Sequence, residues 1–175
     1  MDKPACSRHA SSLEFMPTPP PSLAPPNARD RLWVRGQSGL MLAVVGLGIT
    51  HRGAWQSTAG FVLGAALFGI GALVGIWGVR SLGGNRTPNP TPKPDAELVE
   101  TGIYRWLRHP LYSSVMFASV GWALLWQSGF ALAAAAGLCV FFDAKARLEE
   151  RLLAERFAAY RKYRQRTRRF VPGIY

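Results

Sequence analysis

The sequence predicts an all-α integral membrane protein with four transmembrane helices, the last two forming a tight hairpin. Two long apolar runs support this prediction. The run between Arg52 and Arg80 and the longer run between His109 and Asp143 contain no acidic or basic side chain. Each run exceeds the length of about 20 apolar residues that suffices for a helix to cross a bilayer. A soluble domain would distribute charges through both runs, so the pattern favours a membrane protein.

The positions of the basic residues predict the orientation. Of the 21 Lys and Arg, five precede Gly36, one is Arg52, five lie within 80–108 and ten follow Asp143. Basic residues accumulate in cytoplasmic loops of membrane proteins. We therefore expect both termini and the 80–109 connection to be cytoplasmic, at the inner membrane if the host is bacterial. The net charge of +11 then indicates contact with anionic lipid headgroups rather than with nucleic acid.

The N-terminal segment has a composition typical of a disordered tail. Residues 1–30 hold seven of the 13 prolines, and such a segment cannot form a packed core. We therefore expect one membrane domain at 31–175. The two cysteines, Cys6 and Cys139, form neither a disulfide framework nor a metal-ligand spacing, and no metal site is expected.

The first two spans are expected at 36–50 and 57–79. The first is short for a bilayer crossing, so Trp33 and Trp55 are expected to flank it in the interface. The second carries four glycines whose spacing places them on one helix face, where small residues allow close helix packing. These glycines are Gly60, Gly64, Gly71 and Gly75.

The apolar run between His109 and Asp143 is too long for one span and too short for two full ones. The triplet 127–129, Gln-Ser-Gly, interrupts it near the middle, which predicts helices at 111–126 and 130–142. The second of these is expected to continue past Asp143 into the cytoplasm, through the charged segment 145–163.

The connection between the second and third spans has two parts. Residues 85–94 contain four prolines and are expected to be extended. Residues 95–109 interleave aromatic, apolar and charged side chains, a composition suited to the membrane interface.

Two clusters of polar residues could carry chemistry. The first is Arg-His-Pro-Leu-Tyr at 108–112. A purely structural interpretation makes Pro110 the first helical residue, His109 a helix cap and Arg108 a headgroup anchor.

The second cluster consists of Lys145, Arg147, Glu149 and Glu150. Its structural interpretation is a solvated helix with ordinary local pairs, such as Arg147 with Glu150.

Together the two clusters resemble the membrane isoprenylcysteine carboxyl methyltransferase family, particularly its small bacterial members. The matching segments are TPNPTPKP at 87–94, LVETGIYRWLRHPLY at 98–112, KARLEE at 145–150 and FAAYRKYRQRTRRFVP at 157–172. The resemblance extends from Leu82 to the C-terminus, about half of the chain, and phospholipid methyltransferases look similar in the same places.

The resemblance implies a cytoplasmic pocket for S-adenosyl-L-methionine and a lipid-like or prenylated substrate that enters from the bilayer. The implied pocket residues are Leu98, Val99, Tyr104, His109, Pro110, Tyr112 and Glu149, with Glu150 as the alternative acid. The family's substrate-orienting arginine falls near Lys145 or Arg147. Lys145 keeps the four-residue spacing to Glu149 but is not an arginine, so the acceptor stays open.

The residue chemistry is compatible with these roles. Aromatic rings at Tyr104, Trp106 and Tyr112 suit an adenine and a sulfonium. A carboxylate acceptor would be ionised already at neutral pH, and no general base would be needed. An amine acceptor would have to lose a proton, for which His109 is the obvious titratable group. A non-catalytic membrane scaffold of the same fold is the remaining alternative.

Overall fold

The computed structural model describes residues 28–93 and 96–174, and their regular secondary structure is helical apart from one isolated β-bridge. The tail expected at 1–30 lies outside the described residues except for its last three, which belong to the first helix. Five α-helices are formed by these residues: α1 (Ala28–Thr50), α2 (Thr58–Leu82), α3 (Pro110–Leu125), α4 (Gly129–Arg156) and α5 (Tyr160–Arg166). Helices α1, α2 and α4 are long and apolar enough to cross a membrane, whereas α3 is a shorter apolar helix of 16 residues.

Helices α2 and α3 approach each other closely because glycines lie at their contact. A Cβ on Gly71 would lie 2.7 Å from the Ser114 carbonyl oxygen, and one on Gly64 would lie 2.8 Å from the Leu125 nitrogen. Gly75 also faces Ser114, so the predicted packing face is confirmed at these three positions. Gly60 instead lies beside the cap of its own helix.

Helix α1 packs against α4 and contributes to the apolar core. Val44, Ala135, Leu138 and Phe142 are buried together. At the cytoplasmic end predicted from the charges, the Trp33 ring contacts Phe141 with 5.0 Å between ring centroids. The sequence indicates only an interfacial position for this tryptophan, and the structure adds its aromatic partner.

The turn between α3 and α4 is joined to the turn between α1 and α2. Gln127 has a positive φ of 52°, and the Ser128 hydroxyl accepts a hydrogen bond from Ala131 N to cap α4. The Gln127 side chain exchanges hydrogen bonds with the main chain of Ser57, and Gly53 N donates to Trp126 O. These bonds hold both turns together at one end of the bundle.

The apolar part of α4 ends at Phe142, and its charged part continues to Arg156 before a break at 157–159. The helix therefore extends past Asp143 as predicted, but the segment 145–163 is not one continuous helix. The C-terminal residues fold back: Leu107 and Arg168 form an isolated parallel bridge, with Arg168 N donating to Trp106 O. This return brings the C-terminus against the start of α3.

The 96–109 segment also packs against the helices. A 3₁₀ turn at Gly102–Arg105 buries Ile103 and Tyr104, and Gly102 has a φ of 59°. A Cβ there would lie 3.0 Å from Ser81 Cβ, so both the backbone angle and the space favour glycine.

Candidate functional site

His109 and Glu149, which are distant in the sequence, meet at one end of the helix bundle. His109 immediately precedes α3 and Glu149 lies in the charged part of α4. The His109 Nδ1 atom is 3.6 Å from Glu149 Oε2. The antiparallel course of α3 and α4 produces this juxtaposition.

An open cavity of about 800 Å³, its mouth included, lies beside this pair. It is lined by Leu82, Thr87, Pro92, Ala96, Glu97, Leu98, Val99, Tyr104, Arg108, His109, Leu111, Tyr112, Glu149, Leu153, Phe157, Tyr160 and Tyr163. Of the implied pocket residues, Pro110 and Glu150 are not in this lining. Pro110 is buried as the first residue of α3, as predicted, and packs near Gly78 of α2.

Glu149 presents its carboxylate to the cavity. The Tyr112 hydroxyl donates a 2.7 Å hydrogen bond to Glu149 Oε2, and the Glu149 side chain keeps 25% of its surface exposed. A carboxylate held by one phenol retains lone pairs for a ligand's ammonium or hydroxyl groups.

Glu150, the alternative acid, is buried with 3% of its side chain exposed and accepts hydrogen bonds from the side chains of Arg108 and Arg169. Arg108 Nε lies 2.9 Å and Arg169 Nε 3.0 Å from Glu150 Oε1. Burial alone would raise the pKa of the Glu150 carboxyl, but contacts with His109, Arg169 and Arg108 outweigh burial and lower that pKa. The pair predicted between Arg147 and Glu150 is therefore wrong.

The structure also corrects two other local interpretations. Arg108 is not a headgroup anchor: its side chain is largely buried and donates to Glu150 and to the carbonyls of Arg164 and Thr167. His109 occupies the N-cap position of α3 without a side-chain capping bond. Its ring is instead parallel to the Tyr112 ring, 5.2 Å away.

Aromatic side chains form much of the remaining wall. Tyr104 and Tyr112 line the cavity as expected, whereas Trp106 lies outside it, half exposed against Trp77. Burial, with a smaller contribution from Glu149, raises the pKa of the Tyr104 phenol. Tyr104 therefore stays neutral at physiological pH.

Tyr160 and Tyr163 are cavity residues that the sequence interpretation does not assign to the pocket. The Tyr163 hydroxyl donates to Tyr104 O at 2.7 Å. The buried Tyr160 hydroxyl has no hydrogen-bond partner among the described residues. Their i, i+3 spacing places both on one face of α5, which is the available sequence signal.

A second, adjacent cavity of about 630 Å³, open to solvent, shares Thr87, Leu111 and Tyr112 with the first. Lys145 lines it and is fully buried, and its Nζ donates to Gln37 Oε1 at 2.5 Å and to Pro88 O at 2.7 Å. The ammonium also lies 5.3 Å from the centroid of the Tyr112 ring. Burial lowers the pKa of this ammonium, and nearby Glu149 and Asp30 act in the opposite direction.

Arg147, the other candidate cation, lies elsewhere. Its side chain is 57% exposed and its Nε donates to Asp143 Oδ2 at 2.7 Å. Among the described residues, no group of three or more His, Cys, Asp or Glu side chains could hold a metal ion.

The comparison with known proteins identifies the family of this helical membrane protein. Residues 59–160 match the phospholipid methyltransferase family. The chain belongs to that family and is an integral membrane protein. The match begins within α2, so α1 lies outside it.

Two characterised relatives are similar to the chain. The nickel-cobalt-cadmium resistance protein NccN of Alcaligenes xylosoxydans xylosoxydans is 30% identical over 167 residues, 88% of this chain and 73% of that protein. The protein-S-isoprenylcysteine O-methyltransferase of Saccharomyces cerevisiae is 35% identical over 82 residues. That alignment covers 46% of this chain and 34% of the yeast protein. The predicted resemblance to isoprenylcysteine methyltransferases is confirmed at the level of the family.

Proposed function

We propose that this protein transfers the methyl group of S-adenosylmethionine to the carboxylate of a membrane-embedded, isoprenylcysteine-like acceptor. One observation carries the proposal. Glu149 and Lys145, one helical turn apart on α4, line two adjacent cavities that meet at Tyr112. An acid faces the first cavity and a buried cation lines the second.

The first cavity suits the methyl donor. When bound, S-adenosylmethionine supplies an electrophilic methyl group on a sulfonium. Glu149 would hold the donor's ammonium or ribose hydroxyls. The Tyr160 hydroxyl, which has no partner within the described parts of the chain, offers a further hydrogen bond. The rings of Tyr104 and Tyr112 provide surfaces for the adenine and for the positive charge.

The second cavity suits an anionic acceptor. The Lys145 ammonium would hold and orient a carboxylate, which is already ionised at neutral pH. No side chain then has to remove a proton, and the protein's contribution is alignment and exclusion of water. Arg147 lies outside this cavity, so we assign the orienting role to Lys145 alone.

A phospholipid amine is the second candidate acceptor, favoured by the description of the family that matches. Such an acceptor arrives as a cation and would have to lose a proton, for which His109, in the lining of the adjacent first cavity, is the candidate group. The buried Lys145 would repel the cationic form, which is why we favour a carboxylate.

We further propose that α1, α2, α3 and α4 all span the bilayer, with both termini in the cytoplasm. The expected span count requires α3, at 16 residues, to cross although it is shorter than the other three. The strongly basic C-terminal segment would then face the anionic cytoplasmic leaflet.

Calorimetric titration with S-adenosylhomocysteine tests the cofactor assignment. Purified protein should bind it, and His109→Ala and Glu149→Gln should each weaken binding about tenfold or more, the effect of losing a charged hydrogen-bond partner. Glu155→Gln, an exposed acid on the same helix, is the matched control and should bind as the parent does. A parent protein that binds none would favour a non-catalytic scaffold, and unchanged affinity in both site variants would refute the site assignment.

A further inference from the structure

The Glu150 carboxylate is close to His109 and yet makes no hydrogen bond with it. His109 Nε2 lies 3.4 Å from Glu150 Oε1, but the buried Nε2 has no hydrogen-bond partner among the described residues. A carboxylate oxygen has two lone pairs. On Oε1, the Nε atoms of Arg108 and Arg169 take both, at 2.9 and 3.0 Å.

Arg169 is fixed in this position by several contacts. Its Nη2 donates to Glu150 Oε2 at 3.0 Å, and its Nη1 donates to Asp143 Oδ1 at 2.8 Å. Its carbonyl accepts a hydrogen bond from His109 N at 3.1 Å. Only 8% of its surface is exposed. The residue therefore touches His109 through the main chain and Glu150 through the guanidinium.

We infer that Arg169 is a positioning residue for His109. Because Arg169 donates a hydrogen bond to Glu150 Oε1, that oxygen does not accept one from the imidazole Nε2. The ring then stays stacked on Tyr112, with Nδ1 directed to the Glu149 side of the cavity. This inference rests on the proposed function, because it concerns how His109 is presented to the methyl donor.

Arg169 lies far beyond His109 in the sequence, in a tail whose other basic side chains are largely exposed. Arg164 is the natural comparison: its Nε is 3.7 Å from Glu150 Oε2, but its side chain is 58% exposed. Both arginines lie near the Glu150 carboxylate, but only Arg169 donates a hydrogen bond to its Oε1 atom. They therefore form a matched pair for experiment.

The experiment is a double-mutant cycle on S-adenosylhomocysteine affinity, with melting temperature recorded for every variant. Arg169→Lys keeps a charge but cannot make the paired contact. It should weaken binding about five- to tenfold, on the scale of one charged hydrogen bond. Arg164→Lys should leave affinity unchanged. In a His109→Ala background, Arg169→Lys should change affinity less than about twofold, since its effect acts through the imidazole.

Two results would overturn the inference while leaving the proposed function intact. One is an Arg169→Lys effect of equal size with and without His109, which would show a general structural role. The other is unchanged affinity in Arg169→Lys. If Arg169→Lys does not fold, Asp143→Asn replaces it, because this variant weakens the contact between Asp143 and the Arg169 guanidinium. Asp143→Asn should reduce the affinity for S-adenosylhomocysteine by less than Arg169→Lys would. In a His109→Ala background that reduction must disappear. A parent protein that binds no S-adenosylhomocysteine would overturn the proposed function and this inference together.

Discussion

The Tyr112 phenol donates to Glu149 while its ring lies beneath the Lys145 ammonium. One side chain thus contacts the residues that we assign to the methyl donor and to the acceptor. Its hydroxyl holds the Glu149 carboxylate in the first cavity, and its side chain lines both cavities. The two contributions can be separated by substitution.

Tyr112→Phe should retain the ring and lose the hydrogen bond to Glu149. We expect S-adenosylhomocysteine to bind about three- to tenfold more weakly, because the carboxylate is no longer held toward the cavity. Tyr163→Phe also removes a phenol hydrogen bond, the one to Tyr104 O, but leaves Glu149 untouched. Equal losses in the two variants would contradict a specific role for the Tyr112 hydroxyl.

Glu150 should make stability depend on pH in the acidic range. Its pKa is lowered in the folded protein, so the unfolded chain binds its proton more readily. The stabilisation is fully present above the unfolded pKa of about 4.3. It is lost as pH falls below that value and through the folded pKa. Melting in detergent between pH 7 and pH 3 should show this loss.

Glu150→Gln should melt at a lower temperature at pH 7, because Arg108 and Arg169 would lose their buried counter-charge, a loss of about 3–5 kcal/mol. In this variant the melting temperature should also depend less on pH in the acidic range. Glu155→Gln serves as the exposed control, and an unchanged pH profile in Glu150→Gln would contradict this account.

The helices could be predicted from sequence more completely than the ion pairs. Uncharged runs mark bilayer segments directly, and Gln127 with Ser128 indicates the break between α3 and α4. The pairing of Arg108 with Glu150 spans 42 residues, and that of Lys145 with Gln37 spans 108. Local spacing suggests Arg147 for Glu150 because it detects only neighbours on one helix. Long-range partners depend on helix packing, which periodicity does not specify.

Removal of residues 1–27 should leave folding and cofactor binding intact, since the family match lies far beyond them. Removal of residues 1–30 should lower both the membrane accumulation and the melting temperature of the protein. Asp30 is buried and accepts a 3.0 Å hydrogen bond from Thr91 Oγ1, which ties α1 to the loop above the cavities. Membrane accumulation and melting of the two truncations would show the difference. Failure of the shorter truncation to accumulate would contradict a dispensable tail.

Reporter fusions should place both turns of the bundle outside the cytoplasm. The turn after Thr50 and the turn at Gln127 are joined by hydrogen bonds, so fusions at these two positions must report the same side. The distribution of basic residues predicts that side to be non-cytoplasmic. A cytoplasmic signal after Gln127 would contradict the four-span topology.

Lys145→Met should separate acceptor binding from donor binding. Without the ammonium, the second cavity loses its attraction for a carboxylate, and KM for an amine-blocked S-farnesylcysteine should rise about tenfold or more, the scale of a lost charged hydrogen bond. Affinity for S-adenosylhomocysteine should stay within about twofold, because Lys145 is outside the lining of the first cavity. Arg147→Met removes an exposed cation two residues away and should change neither value. If Arg147→Met impairs turnover while Lys145→Met does not, the orienting cation has been assigned to the wrong residue. If Lys145→Met impairs both affinities equally, the lysine acts by holding Gln37 and the Pro88 carbonyl in place rather than by binding the acceptor.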